Sequence, residues 1–372
     1  MKFRTERDNL LEALITTSRA ASSRSAMGSS PSLQLSLHGN SLDITGSDPD
    51  LVIESVIEVA GSGDGSILLP SRLIVEIVRS LAPGAITFDG GEDEMRITSG
   101  KAEFKVRVPV GAEITRLSPL PSEGITLPAK RFAEGLRQVV RAALTDDSRA
   151  PQLTGVLMAA TDTGIRLVAT DSYRLAFCDL EGMSALAPGA EVLIPARALG
   201  EIERLISATN DEDQTVLFRH SEFDAVFEIG NVKLTTRLLK GQFPDYQRLL
   251  PPSYPNQIEI SRDDLASAVK RVRLMVRDTK DATTPVRISF SNAGAELNVL
   301  TPENGSAAEL VDGKYSGDDL IVAFNPNYLL QGIEAIRSDS ILIEIIDSSK
   351  PATIRSDGDS DYQYLLMPVR VS

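Results

Sequence analysis

Three times along the chain one pattern returns: an apolar strand, a Pro or Asn turn, then a helix with apolar residues at i, i+3, i+4 and i+7. The instances are ILLPSRLIVEIVRSL (67–81), VLIPARALGEIERLI (192–206) and LIVAFNPNYLLQGIEAI (320–336). Measured at Pro70, Pro195 and Asn325, the steps are 125 and 130 residues. A second helix precedes each instance, in TERDNLLEALITTSRA (5–20), PAKRFAEGLRQVVRAA (128–143) and SRDDLASAVKRVRLMV (261–276). Ser261 with Asp264 after it fits an N-cap and a first-turn acid. Strand segments recur as LDITGSD (42–48), LVATDSY (167–173) and NVLTPEN (298–304), and the alternation Phe104, Val106, Val108, Val110 marks a half-buried strand.

A repeat this long exceeds the roughly 20–50 residues of a solenoid unit. SPLP (118–121) and RLLP (248–251) are short Pro-rich closures. The expectation is therefore three α+β domains at 1–121, 122–251 and 252–372, each with two helices and several antiparallel strands. GSGDG (61–65), DGGEDE (89–94), NDED (210–213) and DGDSD (357–361) are expected as hairpin loops.

Catalytic groupings are scarce. His38, His220 and Cys178 have no metal-ligand spacing. Asp357, Asp359 and Asp361 alternate like the start of a calcium loop, but Tyr362 stands where that loop needs Gly and no Glu closes it. GSGDGS is a phosphate loop in composition only, because it is followed by a strand and no Gly-Lys-Ser/Thr occurs. Neither a metal nor a cofactor is expected, and a hydrolase built on the acidic loops is a weak rival. A lone cysteine suits a reducing compartment. The charged start MKFRTERDNLLEAL is no signal peptide, and apolar runs such as 320–324 are too short for a membrane span. A soluble cytoplasmic protein with no membrane partner is expected.

Charge is unevenly placed. The chain carries 38 Lys+Arg against 52 Asp+Glu, a net −14, which by itself argues against nucleic acid. The helical segments 6–25, 71–82, 129–142, 197–209, 262–281 and 326–338 are nevertheless net positive. Lys130, Arg137 and Arg141 share a helix face opposite Phe132, Leu136, Val139 and Val140. Arg72 and Arg79 oppose Leu73, Ile77 and Leu81, while Lys270, Arg273 and Arg277 flank Leu265, Val269, Val272 and Val276. An ordinary solvated face also places charges opposite the core. Three basic faces in an acidic chain point further, to one surface that tolerates phosphates beneath another that repels them. Trp is absent and aromatics do not alternate with the basic residues, so stacking on single strands is not indicated.

Four segments, in order and spread along the chain, resemble the bacterial DNA sliding clamp, the beta subunit of DNA polymerase III. They are MKFRTERDNLLEAL, VATDSYRLA (168–176), LKGQFPDYQRLLP (239–251) and YLLMPVRVS (364–372). The resemblance implies three DNA-clamp domains per chain, paired head to tail into a dimeric ring around duplex DNA, with no enzymatic activity. The partners it implies are sequence-independent duplex DNA, a second copy, the replicative polymerase, the clamp loader and other clamp-binding peptides. It places Phe104, Leu274 and Met275 at the contact between protomers, ordinary core being the alternative for Leu274.

For a partner-peptide cleft between the second and third domains it implies Leu153, Thr170, Ser172, Tyr173, Arg174, Leu175, Pro244, Arg248, Leu249, Asn325, Tyr328, Leu365, Leu366, Met367, Pro368, Val369 and Arg370. Ser172 and Tyr173 stand where the best-known form has Gly and His, SSKP (348–351) departs from the family's Val-Ser-Ser, and Ser372 extends the tail by one residue. For DNA, the resemblance matches Arg24 to a family contact position and puts Arg149 in a loop that faces the duplex in the family. Arg72, Arg79, Lys130, Arg137, Arg141, Arg197, Lys270 and Arg273 complete the set from the helices. A duplicated clamp-fold scaffold with an altered cleft, serving stress or inhibitor resistance, is the alternative function.

Overall fold

Strand burial follows the period of two that the sequence announces, as in Ser41–Ser47, where Leu42, Ile44 and Gly46 point inward between half-exposed neighbours. The computed structural model describes residues 1–21, 31–91, 93–108, 114, 123–145, 150–209, 211–276, 284–302, 304–358 and 361–370. Six α-helices are described: α1 (Arg7–Ser18), α2 (Ser71–Ser80), α3 (Ala129–Val139), α4 (Ala196–Ser207), α5 (Arg262–Val272) and α6 (Pro326–Ala335). They lie with four sheets whose strand pairings are all antiparallel.

The chain forms two compact units, one from 1–130 with 204–238 and the other from 131–203 with 239–372. The first holds a five-stranded sheet ordered Ala60–Gly63, Lys2–Glu6, Ala85–Gly90, Glu94–Ser99, Ala102–Arg107. Its eight-stranded sheet runs Ile125–Pro128, Thr215–His220, Asp224–Ile229, Val232–Arg237, Leu51–Glu58, Ser41–Ser47, Ser32–His38, Gly65–Pro70. Leu10 and Leu14 of α1, Ile74 and Val78 of α2, and Leu33, Leu35, Ile44 and Phe88 of the strands share one core. Gly46 lets α1 approach, because a Cβ there would overlap the Thr17 carbonyl.

The second unit holds a nine-stranded sheet ordered Glu191–Pro195, Gly155–Ala160, Gly164–Thr170, Arg174–Glu181, Tyr362–Leu366, Ala352–Ser356, Ser340–Ile345, Asn256–Ser261, Gly313–Ser316. A four-stranded sheet runs Gly305–Val311, Gly294–Thr301, Val286–Ser291, Leu320–Phe324. Both large sheets join strands from different repeats: 232–237 pairs with 51–58, and 174–178 pairs with 362–366. The repeats are thus visible in the helices and strands, while the central repeat is shared between two compact units.

Local chemistry sets the helix ends. Ser261 caps α5 by accepting from the Asp264 N–H (3.3 Å), and Asn325 caps α6 by accepting from Asn327 N–H (2.9 Å) and Tyr328 N–H (3.3 Å). The helix expected over 6–25 stops at Ser18, where Thr17 and Ser18 hydroxyls donate back to the Ala13 and Ile15 carbonyls. The helix expected over 262–281 ends at Val272 and continues as one tight turn, Arg273–Met275. Leu73 does not join the core of α2. Buried Ile74, Ile77, Val78 and Leu81 form the i, i+3, i+4, i+7 arc, which leaves Leu73 one step off it and exposed. Val276 is only half-buried, and Val110 and Arg277 lie outside the described residues.

Two expected hairpins are something else. Gly61–Gly63 and Gly65 belong to strands of two different sheets, so GSGDG crosses between sheets; a Cβ on Gly61 would overlap the Gly39 carbonyl, and Asp64 accepts from Gly39 N–H (2.8 Å). NDED follows α4 and leads into Thr215–His220, so it connects a helix to a strand. No described helix is long and apolar enough to cross a membrane.

Candidate functional site

The densest grouping of candidate residues is the turn Thr170–Arg174 and the strand end it pairs with. Asp171 accepts the N–H groups of Tyr173 and Arg174 (each 3.0 Å), while Thr170 Oγ1 accepts Ser172 N–H (3.2 Å) and donates to the Arg174 carbonyl (2.7 Å). Ser172 sits at φ +75°, the sole described non-glycine residue in the left-handed region. This lifts Tyr173 into solvent, 64% exposed. The Tyr173 carbonyl in turn accepts Met367 N–H at 2.9 Å, so the exposed Met367 side chain is tied beside it. Arg174 pairs across the sheet with Leu366, and Leu175 with Leu365.

Arg174 is buried and fully engaged. Its Nε donates to Asp171 (3.0 Å), Nη1 to Gln331 Oε1 and Nη2 to the Arg141 carbonyl, and its guanidinium lies 4.2 Å from the Tyr328 ring centroid. Tyr364 donates its hydroxyl to the Tyr328 carbonyl (2.9 Å). Its ring fits against α6 because residue 332 is glycine. Burial holds the Tyr328 and Tyr364 phenols protonated above the ordinary range. Val369 N–H donates to the Ala323 carbonyl (2.7 Å), fixing the segment after the last strand.

Beneath lies an apolar cluster of Leu157, Val168, Leu175, Phe177, Leu193, Phe243, Tyr246 and Leu365. Leu153, Leu175, Leu365 and Leu366 are buried, so they form floor rather than contact surface. The apolar surface on offer is Tyr173, Met367 and Leu249, with Pro244 also exposed and Pro368 and Val369 half-buried. Arg248 pairs with Asp245 (2.7 Å), and Arg370 is exposed. Asp171, Gln331, Phe243 and Tyr246 belong to this region without being sequence candidates for it. Only Asp171 had a local signal, an Asp two residues before the N–H it accepts.

The protomer-contact candidates fall at sheet edges. Phe104 lies on Ala102–Arg107, the edge of the five-stranded sheet, and is half-buried. Leu274 is 80% exposed, which removes the core reading for it in the single chain. The half-buried Met275 follows, its carbonyl accepting from Thr301 Oγ1 and Asn304 Nδ2 (each 3.3 Å), next to the edge strand Gly305–Val311.

The described basic candidates reach solvent, but several have acids beside them. Arg72 pairs with Glu76 (2.8 Å), Lys130 with Glu212 (2.9 Å) and Lys270 with Glu334 (2.8 Å). These contacts hold Arg72 above and Glu212 below their ordinary pKa values. Exposed pairs of this kind add little to stability, being screened by solvent, and can exchange for a phosphate. Arg79, Arg137, Arg141 and Arg273 have no acidic partner among the described residues, whereas Arg197 is engaged. Arg24 and Arg149 lie outside the described residues.

Models of three domains of one family match the chain in order: the DNA polymerase III beta subunit N-terminal domain over 1–117, central domain over 126–245 and C-terminal domain over 247–370. The chain belongs to the bacterial sliding-clamp family. The beta sliding clamp of Staphylococcus aureus is 29% identical over 384 residues, covering 100% of this chain and 99% of its own. The Bacillus subtilis sliding clamp structure superposes with TM-score 0.88 at 27% identity, and that of Bartonella birtlesii, solved with griselimycin bound, with TM-score 0.90 at 29% identity; each comparison covers 100% of both chains. Sliding clamps are non-catalytic processivity subunits of the polymerase, and that is the role of this chain. The hydrolase reading falls with this result, and the scaffold alternative, which rests on the altered Ser172 and Tyr173 alone, is not favoured.

Proposed function

We propose that this clamp closes head to tail with a second copy, encircles duplex DNA in the cytoplasm, and tethers polymerase, clamp-loader and other partner peptides at the surface around Tyr173, Leu249 and Met367. Domain boundaries near 121 and 251 belong to the same reading. The observation that carries it is the pair of unlike sheet edges. Among the described residues Ala102–Arg107 and Gly305–Val311 each end a sheet, with no further strand beside them, and each has an apolar candidate at hand, Phe104 on one and exposed Leu274 by the other. An exposed edge strand is a template for pairing, and unlike edges make a heterologous contact that must close or polymerise.

Arg79, Arg137, Arg141 and Arg273 are the described cations best suited to backbone phosphates, with Arg72, Lys130 and Lys270 exchanging Glu76, Glu212 and Glu334 for phosphate and Arg197 joining them. Arg24 and Arg149 join them by resemblance. Topology holds the DNA, so weak contacts suffice. The test is retention on a nicked circle after loading. Protein should stay bound at moderate salt and leave once the circle is linearised; equal retention on both forms would overturn the reading. Substituting Arg79 and Arg273 by Ala should make direct DNA binding less salt-dependent, the slope falling by about one unit for each phosphate no longer neutralised.

A further inference from the structure

Arg174 also borders a cavity of about 410 Å³ in the second unit. Five arginines line it: Arg137, Arg141, Arg174, Arg262 and Arg337. Three of them are already engaged. Arg174 donates to Asp171, Gln331 and the Arg141 carbonyl; Arg262 donates to Asp263 and to the Ile336 and Arg337 carbonyls; Arg337 pairs with Glu134 (2.7 Å). Glu334, the acid in the wall, is held by Lys270 at 2.8 Å.

Arg137 and Arg141 are different. They stand four residues apart on α3 and the tight turn that follows it, both exposed, and neither has an acidic partner among the described residues. Like charges at that spacing repel, so an anion set between them is favoured. Guanidinium pairs match phosphate oxygens in a bidentate manner, and the cavity falls within the size range of ligand pockets, roughly 300–1,000 Å³. A sliding duplex needs shallow contacts with singly charged phosphates, whereas a recess with two guanidiniums that no described acid offsets suits a small group carrying several negative charges.

We propose that this cavity binds a free polyphosphate group, either inorganic or carried on a nucleoside, through Arg137 and Arg141, with Arg262 and Arg337 forming the rear wall. The inference extends the phosphate-facing role given to these two arginines, but it needs no DNA. The full-length protein is titrated calorimetrically with inorganic triphosphate at about 0.15 M salt, where exposed long-range charge is screened. One saturable site per chain is expected, weakened about tenfold or more in the Arg137→Gln/Arg141→Gln double variant. Both side chains are exposed, so circular dichroism should show an unchanged fold.

Glu334→Gln removes the acid of the wall and should tighten triphosphate binding several-fold, an effect of opposite sign that general damage to the fold would not give. Competition by ATP would show that the polyphosphate can be carried on a nucleoside; failure of ATP to compete would restrict the site to inorganic polyphosphate. No saturation with triphosphate, or equal affinity in wild type and double variant, would overturn the proposal. Loss of nicked-circle retention with triphosphate binding intact would count against the clamp reading alone.

Discussion

Ser172 is a serine in a glycine's conformation. Its φ of +75° is held by the Thr170 hydroxyl on its own N–H and by Asp171 on the next two. The left-handed region costs an L-residue about 1–2 kcal/mol. Glycine would relieve that but restore about 0.4–1 kcal/mol of unfolded-chain entropy. Ser172→Gly should therefore stabilise the protein by about 1 kcal/mol or slightly less, read by denaturant unfolding; destabilisation would mean that the φ of Ser172 carries no strain to relieve. Cys178 offers a second residue-level test. Burial pushes its thiol up to about 12, and its Sγ donates to Gln138 Oε1 at 3.1 Å. The folded pKa lies above the unfolded one, so this contribution to stability is complete below about pH 9, the ordinary thiol value, and is lost as pH rises toward 12. Native protein at pH 8 should resist alkylation that urea-unfolded protein undergoes, as mass spectrometry would show; rapid native labelling would refute the burial.

At the scale of elements, α6 is where capping and packing meet. Asn325 starts it, and Gly332 brings the Tyr364 ring against it, so that Tyr364 reaches the Tyr328 carbonyl and Arg174 lies over the Tyr328 ring. Gly332→Ala tests this contact. Alanine is the better helix former by about 1 kcal/mol, yet its Cβ would overlap the Tyr364 ring, and overpacking costs about 1–3 kcal/mol. The buried ring has no room to yield, so a net loss of stability is expected, and a gain would show that the close approach is not a constraint. The helix itself was legible, because a cap and an apolar period are local signals. The Thr170–Arg174 turn was legible in the same way, through Asp171 and its neighbours. Phe243 and Tyr246 were not, because nothing within a few residues of them reveals that they end up under Leu175 and Leu365.

For the whole molecule, the repeat disclosed three copies of a pattern but not how their sheets join. Val232–Arg237 pairing with Leu51–Glu58, and Arg174–Glu181 with Tyr362–Leu366, are contacts between residues more than a hundred apart, and each strand's own alternation is satisfied by any partner of suitable register. Leu274, for which ordinary core stood as the alternative to a protomer contact, has a side chain that is 80% exposed. That exposure makes a clean experiment possible. Truncating Leu274 and Met275 to Ala removes little from the folded single chain, where Leu274 is exposed and Met275 only half-buried. In a protomer contact that buries them, each fully covered side chain would contribute about 2–5 kcal/mol. Loss of both would raise the dimer dissociation constant by about three orders of magnitude or more, at about 1.4 kcal/mol per tenfold. Sedimentation of the double variant at nanomolar concentration should show folded monomers beside dimeric wild type. A variant that remains dimeric would remove these residues from the contact.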